Sequence, residues 1–227
     1  MKLLFGCLVI ALLAGMPATA AIVSFTCLSN NTGQCPALAP QIVIDATNPG
    51  SNRLALELTN SGPIPSSVTA VYFDFVGMLF TGFFSSTGSG SGVVFPIDGT
   101  VTPPNVPGGN NATPAFSSDL GIDTAPPTSP NGVGPGEGLT LLLNIGGGSD
   151  IGNVVDAFIS GDLRIALHVQ SIGTSGGSDA LISNPLPPGT PRNLQEIPEP
   201  AYGLLVGGLL ALIGFTRTAR KKRGNIA

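Results

Sequence analysis

The side chains able to do chemistry are few. His168 is the only histidine, so any Ser-His or Cys-His nucleophile–base pair would have to be built on it. Between residues 21 and 197 there is no lysine and no tryptophan. G-x-S-x-G, H-E-x-x-H, phosphate-loop and dinucleotide fingerprints do not occur. Carboxylates are the one plentiful catalytic group. Glycoside hydrolysis would need two of Asp74, Asp98, Asp119, Asp123, Asp150, Asp156 and Asp162 facing one another. Sugar sites usually add aromatic platforms, and this stretch offers Tyr72 and the phenylalanines other than Phe5 and Phe215, several of them required for a core. Calcium is the alternative use of the same oxygens: Asp119-x-x-x-Asp123, or Gly-Gly-Gly-Ser-Asp150, could supply ligands in a turn. Neither belongs to an EF-hand loop or a calcium-binding repeat, and aspartate in glycine-rich turns mostly serves the turn itself. No cofactor is expected. Cys27 and Cys35, eight residues apart, are the other reactive pair. Outside the cytoplasm they form a disulfide worth about 2–3 kcal/mol of loop entropy; as metal ligands they would lack two further soft partners.

The elements that must carry these groups have a period of two. Leu54, Leu56 and Leu58 alternate with Ala55, Glu57 and Thr59. Val71, Phe73 and Phe75 alternate with Tyr72 and Asp74. Leu139, Leu141, Leu143 and Ile145 share a face, with Leu142 indicating cover on the other. Leu163, Ile165, Leu167 and Val169 alternate with Arg164, Ala166, His168 and Gln170. This puts His168 on a polar face beside Arg164, as a solvated surface side chain. Residues 42–45 and 93–95 read as short strands. Residues 85–92, SSTGSGSG, read as a hairpin tip or loop. Residues 103–136 are too long and turn-rich for one tight connection, with Phe116, Leu120 and Ile122 pinning their middle to a sheet edge. Gly and Pro, 32 and 21 of 227 residues, exclude long helices. One short helix is expected in GNVVDAFIS, capped by Ser149 or Asp150, with Val154, Val155 and Phe158 inward. The fold expected is all-β, an antiparallel two-sheet sandwich, Ig-like or jelly-roll-like, over residues 21–183.

Both ends of the chain are hydrophobic. Residues 1–20 have a secretory signal's parts: Lys2, an apolar run over 3–15, and Ala18-Thr19-Ala20, which places cleavage between Ala20 and Ala21. Residues 184–197, with their many prolines, read as a semi-rigid extended linker. Next come Pro198-Glu199-Pro200, sixteen uncharged residues over 201–216, and the cations Arg217, Arg220, Lys221, Lys222 and Arg223. Sixteen helical residues cover about 24 Å, a little short of a ~30 Å hydrocarbon core. Tyr202 at one interface and a snorkelling Arg217 at the other make up part of the deficit. The basic cluster should stay cytoplasmic and leave everything before Ala201 outside. Residues 21–197 carry twelve acidic side chains against Arg53, Arg164 and Arg192, an acidic balance that argues against nucleic-acid partners and against an anionic membrane surface.

Residues 197–223 resemble the PEP-CTERM sorting domain of exported proteins of Gram-negative bacteria. The resemblance rests on Pro198-Glu199-Pro200 directly ahead of a short span and an Arg/Lys cluster, paired with a signal peptide. It implies recognition and cutting near the motif by an exosortase, an integral-membrane processing enzyme. The prolines flanking Glu199 disfavour helix and suit an extended, accessible motif. Residues 161–184 also resemble the C-terminal part of many PEP-CTERM cargo bodies, which implies no activity. The expectation is a non-catalytic exported protein, first a single-pass precursor in the inner membrane and then delivered to the cell surface or the exopolysaccharide matrix of a biofilm. A carbohydrate- or calcium-binding adhesion module and a carboxylate-based hydrolase are the alternatives.

Overall fold

The computed structural model describes residues 20–97 and 105–194. The signal at 1–19, Asp98, the motif Pro198–Glu199–Pro200, the span at 201–216 and the basic cluster lie outside the described residues. Ten strands form two five-stranded sheets, and every pairing is antiparallel. The strands are β1 (Ala21–Val23), β2 (Phe25–Cys27), β3 (Ile42–Thr47), β4 (Arg53–Asn60), β5 (Ser67–Phe75), β6 (Phe80–Ser89), β7 (Leu120–Asp123), β8 (Glu137–Ile145), β9 (Leu163–Ile172) and β10 (Gly177–Ser183). One sheet has the order β1-β3-β4-β8-β6 and the other β2-β10-β9-β5-β7. Only Ser24 separates β1 from β2, so the N-terminal segment changes sheets within one residue.

The alternation seen in the sequence is the alternation of burial. Leu54, Leu56 and Leu58 of β4 and Leu139, Leu141 and Leu143 of β8 pair directly and share one core with Val71, Phe73, Ile165, Leu167 and Val169 of the opposing sheet. The all-β class, the two antiparallel sheets and the sandwich thus agree with expectation. Leu142, on the outer face of β8, is half-buried.

The expected helix is α2 (Ile151–Ser160), preceded by the single-turn α1 (Cys35–Leu38). Asp150 is the N-cap: its Oδ1 accepts from Asn153 N (3.0 Å), and Asn153 Oδ1 accepts from Asp150 N (2.9 Å). This reciprocal pair satisfies two otherwise orphaned donors. The helix stops at Gly161, whose φ of 82° is the left-handed conformation glycine adopts without strain. Val154, Val155 and Phe158 are buried, as their spacing requires.

Three local expectations are corrected. Residues 85–89 are not a loop, because β6 runs through to Ser89, paired with β8. Ladder hydrogen bonds need no apolar side chains, so an edge strand can be built from Ser, Thr and Gly. Residues 93–95 are not a strand. Val94 instead bridges two turns, donating to Asn131 O and accepting from Ala125 N, both at 3.0 Å. The proline-rich linker is not free along its length, since residues 184–194 lie on the body. Asn184 N donates to Ser24 O (2.8 Å), Leu186 N to Phe158 O (3.2 Å), and Asn48 N to Leu194 O (2.6 Å). Leu186 and Leu194 are 3% and 0% exposed. Two leucines among the prolines supply enough apolar burial to hold the segment down.

Candidate functional site

Most of the aspartates weighed above are engaged in building the fold. Asp74 of β5 forms an ion pair with Arg164 of β9, across from it in the ladder, and its Oδ2 also accepts from Ser117 N (3.1 Å). Asp119 Oδ2 accepts from Phe75 N (2.9 Å). Asp150 caps α2, Asp156 pairs with Arg192 (2.9 Å), and Asp162 accepts from Ser160 Oγ (2.8 Å). Asp123 lies on β7 beside Tyr72. Burial raises its carboxyl above the usual range, while burial and the Asp123 charge push the Tyr72 phenol up to about 12. Among the described residues no group of three or more His, Cys, Asp or Glu is arranged to hold a metal ion. Of the turn aspartates weighed for calcium, Asp119 holds a strand end and Asp150 a helix start.

His168 does not stand in solvent. The outer face of its sheet is covered by the segment that precedes β7, with Val106 and Phe116 packed on Ala70, Tyr72, Ala166 and Ala180. The small alanines leave room for this second apolar layer. Arg164 clamps it down, donating to Pro114 O (2.6 Å) and Ala115 O (2.9 Å) beside its pair with Asp74. His168 is therefore half-buried, and burial lowers its pKa, which favours the neutral ring. Its Nδ1 is 3.4 Å from Gln170 Nε2, and among the described residues no acid or nucleophile is hydrogen-bonded to it. Phe116 and Ile122 are both 2% exposed; Ile122 and the half-buried Leu120 pin the segment at the sheet edge in β7, as expected, whereas Phe116 lies on the sheet's outer face instead.

Cys27 and Cys35 form the expected disulfide, with Cα atoms 5.8 Å apart. The loop they close wraps around Asp179 of β10, which sequence reasoning passed over. Its buried carboxylate accepts from Ser29 Oγ (3.4 Å), Thr32 N (3.4 Å), Asn31 N and Thr32 Oγ1. A cross-link and an ionic core thus fix the same seven-residue loop. Four donors for one carboxylate make a structural anchor rather than an open ligand site.

Two clefts open to solvent are lined by described residues. One, of about 410 Å³, lies between Pro114, Arg164 and Asn184 and is lined by no acidic or histidine side chain. The other, of about 640 Å³, is walled by prolines and serines. Its one carboxylate, Glu137, accepts from Gly134 N at 2.9 Å. Neither presents a nucleophile with a base, or a facing carboxylate pair.

The chain's two exits have a more telling arrangement. Ala20 is exposed, and Ala21, the first residue after the expected signal cleavage, is already buried in β1 opposite Ala46. Two residues beyond Ala46, Asn48 holds Leu194. The segment leading to the C-terminal motif therefore leaves from the end of the sandwich at which the N-terminus enters. Residues 184–194 reach that point by running back along α2, from Phe158 past Asp156. No helix of the described residues is long and apolar enough to cross a membrane. Comparison with family models, with curated proteins and with solved structures finds no match to this chain.

Proposed function

We propose that this chain is an exported, non-catalytic surface or exopolysaccharide-matrix protein of the PEP-CTERM kind. In this reading the signal helix at 1–20 carries it across the inner membrane, and a single helix at 201–216 holds the precursor there. An exosortase-type enzyme then processes it near Pro198, Glu199 and Pro200. The intervening sandwich, Ig-like or jelly-roll-like, is the cargo. One observation carries the reading: the folded body occupies the interval between the two sorting signals. Its first strand begins at Ala21, directly after the A-x-A site, and Leu194, the last of the described residues, is hydrogen-bonded to the body four residues before Pro198. The engagement of Asp74, Asp119, Asp150, Asp156 and Asp162 in loop hydrogen bonds, a helix cap and ion pairs favours a structural cargo over a hydrolase.

Mass spectrometry of the mature protein from cells with the processing enzyme tests this. The expected product begins at Ala21 and ends near Pro198–Pro200. A chain running intact to Ala227 in such cells would overturn the proposal.

A further inference from the structure

The end of the sandwich with the two exits also carries an apolar tip. β5 and β6 are joined by Val76-Gly77-Met78-Leu79. Leu79 is buried, but Val76 and Met78 are 74% and 71% exposed, the highest values for large apolar side chains among the described residues. The loop is held in place, with Val76 N donating to Asp162 O (3.0 Å) and Gly146 N to Leu79 O (2.9 Å). Asn52, in the turn that starts with Asn48, bonds Ile145 O (3.2 Å) and Ser149 O (3.3 Å), which ties the tip and the Leu194 exit to one end of the fold. No residue from Phe75 to Ser89 is charged, so the tip itself brings no ion into the bilayer, although the exposed Asp162 adjoins it. At the bulge between Phe83 and Ser85, Phe84 is half exposed, with the Arg53 guanidinium 3.4 Å above its ring. An aromatic ring carrying a cation suits the headgroup layer of a bilayer.

We propose that this end is a membrane-docking face: Val76 and Met78 insert into the headgroup region of the bilayer that holds the span at 201–216. The inference rests on the sorting reading above, which supplies that bilayer. The tether sets the distance. Leu194 is fixed to the body, and only residues 195–200 separate it from Ala201. At about 3.3–3.6 Å per residue they reach at most about 25 Å. Two apolar side chains bind a membrane weakly alone, but a tether this short keeps them at high local concentration beside it. Cutting near Pro198–Pro200 removes the tether, so docking is lost and the body is released in the same event.

The test uses the full-length chain carrying Cys7→Ser, reconstituted in vesicles of phosphatidylethanolamine and phosphatidylglycerol. Thiol-reactive fluorophores are placed in turn at Met78→Cys, at Ser175→Cys in the exposed turn between β9 and β10 at the opposite end, and at Leu210→Cys in the span. Quenching by nitroxide-bearing lipids is then measured. Strong quenching at Met78→Cys and Leu210→Cys, with little at Ser175→Cys, is expected. Quenching at Leu210→Cys with Met78→Cys no more quenched than Ser175→Cys overturns docking and leaves the sorting reading standing. An unquenched Leu210→Cys overturns the membrane reading itself, and docking with it. Each variant's disulfide and thermal midpoint should match the parent's, because Met78 and Ser175 are exposed.

Discussion

Replacing Leu194 by alanine should release the strap of residues 184–194 without unfolding the sandwich. The side chain is fully buried, and truncating such a leucine costs about 2–5 kcal/mol. Leu194 closes the end of a surface segment, where the emptied site can partly collapse, so about 2 kcal/mol applies. That corresponds to a roughly thirtyfold rise in the fraction of time the strap is detached, at about 1.4 kcal/mol per decade. Trypsin reads this directly, because the body's only basic cleavage sites are Arg53, Arg164 and Arg192. Arg53 and Arg164 lie in β4 and β9, whereas Arg192 lies on the strap. Its side chain is 72% exposed, yet the anchored backbone on either side should resist a protease that needs an extended stretch. When opening is fast relative to cutting, the cleavage rate follows the open population. Cutting after Arg192 should therefore be slow in the parent and about thirtyfold faster in Leu194→Ala, with Arg53 and Arg164 still protected. Equal rates in the two proteins would refute the claim that Leu194 holds the strap. Simultaneous cutting at all three arginines would refute the claim that the strap detaches on its own.

The remaining expectations are smaller or more local. Arg164→Leu strands Asp74 and two loop carbonyls, and breaking this part-buried pair on one side should cost less than the ~3–5 kcal/mol of a fully buried one; hydrogen exchange should show residues 105–119 losing protection first. Asp150→Ala removes the cap of α2 and should cost about 1 kcal/mol in chemical denaturation. Tyr72 has a folded pKa near 12 against 10.0 for the free side chain. Its contribution is complete below pH 10 and is lost as pH rises through the folded value, amounting to at most about 2–3 kcal/mol. With no lysine in the body, Tyr72→Phe should remove most of that alkaline loss, as read by thermal melts across the range. His168 has a lowered folded pKa, so its contribution is complete above about pH 6.5 and fades as pH falls towards the folded value; His168→Gln should flatten that part of the acid profile.

Much of the body's architecture was legible in sequence because a two-residue period maps onto one buried face. The alternating leucines of β4, β8 and β9 could not be rearranged without exposing a whole row. The disulfide followed from spacing, and α2 from a cap and a 3.6-residue repeat. The places that resisted reading are those where the decisive interaction is remote. Nothing near His168 announces that Phe116 and Val106, from another segment, will cover its sheet. Nothing near Asp179 announces the loop at 29–32, some 150 residues away, that fills its carboxylate. β6 lacks the apolar pattern that marks a strand because backbone pairing with β8 defines it.

The sequence by itself determined the local quantities: the strand faces, the helix cap, the cysteine pair, the acidic balance and the order of apolar and basic stretches at the two ends. Each depends on residues a few positions apart. Only the tertiary structure decided that the proline-rich segment is strapped down by Leu186 and Leu194, that Asp74, Asp119, Asp150, Asp156 and Asp162 are taken up by hydrogen bonds and ion pairs, and that both exits share an end with the Val76–Met78 tip. Those facts depend on which surfaces meet after the sheets close. No period or spacing along the chain encodes the partner of a side chain that finds it a hundred residues away.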